Sequence, residues 1–304
     1  MNTSSQIAPR RTWIIVAFAM VYVVWGSTYL AIRVAVETLP PFLLAATRFL
    51  FAGALLFAWM RLRGVSLPSK NQWRNSAIAG VLMLLGGNGL VVWAEQTVSS
   101  SLAALLVALT PVWFVLLDWL RPGGKSPAAY TWAGILVGFA GVALLVTGHD
   151  ASGANVTKNP WGVVALVVAG LSWAAGSLWS RYHEKPESPW MNAALQMLCG
   201  GVALLMLSLF RGEPMHFHFA RASPHSWWSL LYLVVFGSWI GFSAYVWLLK
   251  VTTPARVSTY AYVNPVIAVL LGRLLLDEPL GRQTIWAAAV ILAGVVLTTL
   301  PGKE

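Results

Sequence analysis

Residues 253–280 read TPARVSTYAYVNPVIAVLLGRLLLDEPL, and residues 99–126 read SSSLAALLVALTPVWFVLLDWLRPGGKS. At an offset of 154 residues, Thr110-Pro111-Val112 falls on Asn264-Pro265-Val266, and Val115-Leu116-Leu117 on Val269-Leu270-Leu271. Each stretch is an apolar run interrupted by a proline and closed by a polar turn. One hydrophobic unit written twice in a single chain points to a duplicated protein that sits in a membrane.

Composition agrees. The 304 residues are 58% hydrophobic and 10% charged, with mean hydropathy +0.70, whereas a soluble domain carries about 25% charged residues. So few polar groups cannot cover the apolar surface, and lipid is the solvent that fits. The 17 tryptophans suit the membrane–water interface. The net charge of +10 is scattered over short segments between apolar runs, which argues against a nucleic-acid partner. Cys199 is the single cysteine, so no intramolecular disulfide and no cysteine metal site is possible.

A spanning helix needs about 20 apolar residues. Ten stretches qualify, at 13–32, 42–60, 75–95, 99–119, 128–147, 161–181, 189–210, 227–249, 254–276 and 282–300. The expected fold is an all-α integral membrane protein of ten transmembrane helices. With the N-terminus in the cytoplasm, 13 of the 20 Lys and Arg residues fall on inside segments, so both termini are expected inside.

The repeat reaches beyond the opening pair. At an offset of 148, Trp25, Arg33, Pro41 and Gly53 match Trp173, Arg181, Pro189 and Gly201; at 154, Trp73, Gly87 and Trp93 match Trp227, Gly241 and Trp247. The division follows: a tail over 1–12, a first repeat over 13–147, a linker over 148–160, a second repeat over 161–300 and a tail over 301–304. Five spans per repeat is an odd number, so the halves enter the membrane from opposite sides. Such inverted repeats place a substrate site near the midplane between halves, and the proline-interrupted fourth and ninth spans are expected to brace them.

The chain resembles the drug/metabolite transporter superfamily, in particular the ten-helix EamA-type carriers. The resemblance is carried by Trp25-Gly26-Ser27 with Tyr29, by Pro41 and Arg48-Phe49, and by Ala255, Tyr262, Asn264-Pro265 and Glu278-Pro279. It implies a secondary transporter of the bacterial inner membrane, commonly exporting amino acids or related metabolites by alternating access. Its partners would be a small solute and the lipid bilayer, with a single chain sufficient for function.

Eight residues are candidates for solute binding. Arg48 lies seven residues after Pro41, about 10 Å into the membrane along a helix. It either attracts a substrate carboxylate, or snorkels outward or binds helix-end carbonyls as a structural pin. Asn88 and Asn264 are amides inside apolar spans; they line a cavity or satisfy neighbouring backbone. Tyr22, Trp25 and Tyr29 share a helical face, and Tyr260 and Trp173 extend the aromatic set, which forms a cage or ordinary packing. Glu37, Glu95, Asp118, Asp277 and Glu278 fall near span ends, where Asp277 is placed to pair with Arg273 and Glu95 either lines the outer mouth of the cavity or, the first choice, is a solvated loop charge. A cation antiporter needs a buried acid, so multidrug export ranks below export of neutral or zwitterionic solutes.

Other motifs carry less. WLRPGGKS at 119–126 lacks the leading glycine of a phosphate-binding loop. His216, His218 and His225 are joined by no cysteine or carboxylate, so no metal or cofactor is expected. The five histidines lie outside the span centres, which disfavours an intramembrane enzyme; a nutrient importer remains an alternative to export. Gly134 with Gly138, and Gly237 with Gly241, are spaced for close helix packing within the bundle.

Overall fold

The computed structural model describes residues 11–124, 126–147, 160–278 and 281–299, and among them there is no strand. Nearly all of the linker and the C-terminal tail fall outside the described residues, as do the first ten residues of the N-terminal tail. Ten long helices make up the bundle. They are α1 Arg11–Ala35, α2 Pro41–Leu62, α3 Lys70–Ala94, α4 Ser100–Leu120, α5 Ala129–Thr147, α6 Pro160–Tyr182, α7 Pro189–Phe210, α8 Pro224–Val251, α9 Tyr260–Leu275 and α10 Arg282–Thr299. Seven of them, α1–α4 and α6–α8, are long and apolar enough to cross a membrane, and α5, α9 and α10 hold shorter apolar stretches.

Local chemistry sets the helix starts. Pro41, Pro189 and Pro224 occupy the first turn of α2, α7 and α8, where a missing N–H costs nothing. Ser69 and Gln72 form a reciprocal capping box before α3, and the Ser99, Ser188 and Ser223 side chains cap α4, α7 and α8. These caps start α3 and α8 several residues earlier than hydropathy predicts, because a capped polar turn can precede the apolar run.

The two prolines of the opening motif act differently. The helical path of α4 is broken at Ala108–Leu109, immediately before Thr110 and Pro111. In the second half the helix runs through Pro265, and the break lies earlier, at Ser258–Thr259, after the short turn Pro254–Val257.

The packing alternates between the halves. α2 lies along α7 and α5 along α10, while α1 packs on α8 and α9, and α6 on α3 and α4. The small residues allow this. A Cβ on Gly294 of α10 would lie 2.4 Å from the Gly138 nitrogen and 2.7 Å from the Gly134 oxygen of α5. Gly294→Ala therefore forces the two backbones apart. We expect a loss of about 1–3 kcal/mol, read as a lower thermal unfolding midpoint of the detergent-solubilised protein.

The middles of α3 and α8 are wound as π-helix, over Val81–Gly89 and Leu233–Phe242. A widened turn leaves carbonyls for outside donors, and each π segment receives one from the opposite half. Ser172 Oγ of α6 donates to the Leu82 oxygen at 2.7 Å, and Trp25 Nε1 of α1 donates to the Gly237 oxygen at 3.2 Å. Gly86 permits the first contact, since a Cβ there would sit 2.1 Å from Ser172 Oγ.

Candidate functional site

The site is built where α1, α2, α3, α6, α8 and α9 converge. Trp25, Tyr29, Arg48, Asn88, Trp173, Tyr260 and Asn264 all line one internal cavity, with about 70 Å³ of space for the centres of water molecules. One water needs roughly 10–15 Å³ on this measure, so the cavity holds a few waters or a small polar group. Seven of the eight candidate residues are thus brought together.

Tyr22 is the exception. It lies one turn away, with its hydroxyl 2.6 Å from Thr259 Oγ1 at the break before α9. It shares a helical face with Trp25, but the cavity ends before reaching it.

Trp25 is the centre of the aromatic wall. Its ring meets Trp173 edge-on at 5.3 Å between centroids, Tyr260 edge-on at 5.3 Å and Tyr245 at 4.9 Å. Such edge contacts are favourable beyond the area they bury. Tyr245 completes the cluster although it does not line the cavity: its hydroxyl accepts from Trp173 Nε1 at 3.0 Å and lies 2.7 Å from Ser177 Oγ. The walls are therefore rigid, with their polar tips already engaged.

Asn264 serves the backbone. With its amide nitrogen turned toward the two nearby carbonyls, it donates to the Tyr260 oxygen at 3.2 Å and the Tyr22 oxygen at 3.0 Å. It ties α9 to α1 while its residue forms part of the wall. Asn88 is different: its side-chain oxygen is buried and has no hydrogen-bond partner.

Arg48 is 4% exposed. Its Nε donates to Ser238 Oγ at 2.6 Å, which fixes the guanidinium against the π segment of α8. Gly237 makes room for it, because a Cβ there would lie 2.9 Å from Nη2. Nη1 is buried without a partner. A buried guanidinium nitrogen with no acceptor is costly, and the cost disappears when an acceptor enters.

The acids depart from expectation. Glu95 is not a solvated loop charge: it is 0% exposed, and neither carboxyl oxygen has a hydrogen-bond partner. It sits at the C-terminal end of α3, one turn past Val91, which lines the cavity. Its backbone oxygen, with that of Gln96, accepts from Arg33 Nη1 of α1 at 2.5 and 3.0 Å. Arg181 of α6 does the same at the end of α8, donating to the oxygens of Leu249 and Thr252 at 2.8 Å each.

Asp277 does not pair with Arg273; among the described residues the ion pair present is Arg121–Asp118. Asp277 instead takes a left-handed conformation, φ 50°, a strained choice for a residue other than glycine. That turn folds Glu278 back over Gly272, its N–H bonding the Gly272 oxygen at 3.0 Å. The Glu278 carboxylate then caps α4. Oε1 accepts from the Ser100 N–H at 2.9 Å and its hydroxyl at 2.8 Å, and Oε2 from the Ser101 N–H at 3.1 Å and its hydroxyl at 2.5 Å. Gly272 clears the space, since a Cβ there would lie 2.5 Å from Oε2. The latch joins α9 of the second half to α4 of the first.

Sequence comparison bears directly on this arrangement. The profile of the EamA-like transporter family matches residues 12–147 and again residues 160–300. The chain belongs to the EamA-like transporter family. It is 40% identical over 285 residues to the inner membrane transporter YedA of Escherichia coli (strain K12), covering 93% of this chain and 90% of that one. It is 26% identical to the transporter YoaV of Bacillus subtilis (strain 168), over 92% and 94% of the two chains. A solved crystal structure shares the fold, with TM-score 0.65 at 20% identity over 94% of this chain and 97% of that chain. This EamA-family protein is a membrane transporter rather than an enzyme, and the cavity between its halves is the natural place to look for its solute.

Proposed function

We propose that the protein is an alternating-access carrier of small carboxylate-bearing metabolites, amino acids foremost, and that it exports them across the bacterial inner membrane. The observation that carries this reading is Arg48: a buried guanidinium on the cavity wall, anchored through Nε and unpartnered at Nη1. A solute carboxylate supplies the acceptor, the Asn88 oxygen offers a second polar contact, and the rings of Trp25, Trp173 and Tyr260 enclose an uncharged side chain.

The proposed architecture is a pair of inverted repeats over 13–147 and 161–300 with both termini in the cytoplasm. Two observations support it: the family profile matches each half, and Arg33 and Arg181, 148 residues apart, cap equivalent helix ends. In that orientation the α3–α4 turn, with Glu95 and the Glu278 latch, lies at the outer end of the bundle.

A second reading has gained an observation. Buried Glu95 supplies the acid that an exporter of organic cations needs. Arg48 lines the cavity and repels a cation, so amino acids remain the first choice. Counterflow uptake of labelled amino acids by purified protein in liposomes tests this, with a quaternary ammonium dye as the comparison. Uptake of several neutral amino acids is expected; uptake of the dye alone transfers the assignment to cation export.

A further inference from the structure

Two carboxyl groups lie close to each other at one end of the bundle, in opposite environments. Glu278 receives four hydrogen bonds, two from backbone N–H groups at the start of α4 and two from hydroxyls. Four donors at a helix N-terminus leave neither oxygen of that carboxyl group without a partner. Glu95 receives none and is fully buried. Burying an anion without donors is costly, and the Glu278 anion adds repulsion. Arg33 and Arg48 act in the other direction. Neither forms an ion pair with Glu95: Arg33 is spent on the backbone oxygens of Glu95 and Gln96, and Arg48 on Ser238. Tyr29 on α1 also feels the Glu95 charge. Burial without a donor, beside a second carboxyl group, favours the protonated form of Glu95.

Arg48 on the cavity wall and Glu95, one turn beyond the lining residue Val91, are both buried, and each has an unpartnered polar atom. Paired to each other they would cancel, but they do not meet. A zwitterion that places its carboxylate on Arg48 and its ammonium toward Glu95 completes both.

We propose that Glu95 is a proton site that exchanges its proton for the ammonium group of an α-amino acid held by Arg48. The Glu95 O–H bond breaks, the proton leaves to solvent, and the carboxylate left behind is balanced by the substrate's ammonium. Proton and amino acid then exclude one another at this site, so the carrier is an antiporter and an inward proton gradient drives export. The inference rests on the reading of Arg48 as the carboxylate site.

The test uses the full chain, purified in detergent. In difference infrared spectra the wild type is expected to show a protonated-carboxyl band at neutral pH, and Glu95→Gln to lack it. Adding a neutral amino acid should remove that band and release a proton into weakly buffered solution. Below the Glu95 pKa the apparent Kd should improve about tenfold per pH unit as pH rises, the slope of one displaced proton. Glu95→Gln should bind with no pH dependence, and Glu95→Asp should restore it if the glutamine variant folds poorly. Binding without proton release, or a wild type lacking the band, overturns the proton site and leaves the carboxylate reading standing. Failure of any amino acid to bind at any pH overturns both.

Discussion

Arg48→Gln will bind carboxylate-bearing solutes about tenfold to a hundredfold more weakly than the wild type, with a normal amount of folded protein in the membrane. Arg48 has one anchored nitrogen and one vacant one: Nε holds Ser238, and Nη1 faces no acceptor. A hydrogen bond to a charged group is worth about 1.5–3 kcal/mol, and each 1.4 kcal/mol is a factor of ten in affinity. Glutamine keeps a donor for Ser238 but has no charge to place beside the solute. The measurement is Kd for a panel of amino acids and for matched amines without the carboxylate. The amines should be unaffected or bind better, because a repelling cation has gone. An equal loss for both classes, with protein level falling alongside, would make Arg48 a structural pin.

Glu278→Ala will lower stability by an amount on the order of 3 kcal/mol, the cost of stripping a buried charged partner from its donors. It orphans two N–H groups at the start of α4 and leaves the Ser100 and Ser101 hydroxyls unpaired. It also removes the tie between α4 and α9, so the end of the bundle that carries the α3–α4 turn should open more often. Thermal unfolding in detergent reads the first effect. The second is read by thiol labelling of a cysteine placed at Val107, which lines the cavity; labelling should quicken in the variant. Glu278→Gln should fall between, since an amide retains one acceptor oxygen. An alanine variant as stable and as slowly labelled as the wild type would mean that the four hydrogen bonds do not restrain the carrier.

Hydropathy and spacing located the ten helices and seven of the 16 residues that line the cavity. Trp25, Tyr29, Arg48, Asn88, Trp173, Tyr260 and Asn264 stood out because large aromatics, amides and a guanidinium are conspicuous in an apolar run, and the cavity collects all seven. Tyr22 falls outside the cavity lining for a simple reason: helical spacing gives the face but not the depth, and Tyr22 is about 10 Å along the axis from Tyr29. The acids were hidden by a related limit. Glu95 follows Trp93-Ala94 at the end of an apolar run, which reads as the way out into water. Whether neighbouring helices cover such an end depends on lateral packing that a linear pattern does not encode. Glu278 was legible as part of a Glu-Pro pattern, but its partners are 177 and 178 residues away. The π winding itself was not legible, since nothing in the residues of Val81–Gly89 or Leu233–Phe242 dictates a widened turn.

The helices that build this carrier are of very unequal length. α8 has 28 residues, ten of them wound as π-helix, and α9 has 16, the latter about 24 Å at 1.5 Å per residue, against a hydrocarbon core of about 30 Å. No single bilayer thickness suits both. A long helix accommodates by leaning and a short one by local thinning of the lipid, and Leu270, Leu274 and Leu275 of α9 are exposed on the bundle surface. Rocking one half against the other changes those leans, so each conformation has its own preferred acyl-chain length. Bilayer thickness then biases the conformations of the carrier with no contact to the solute.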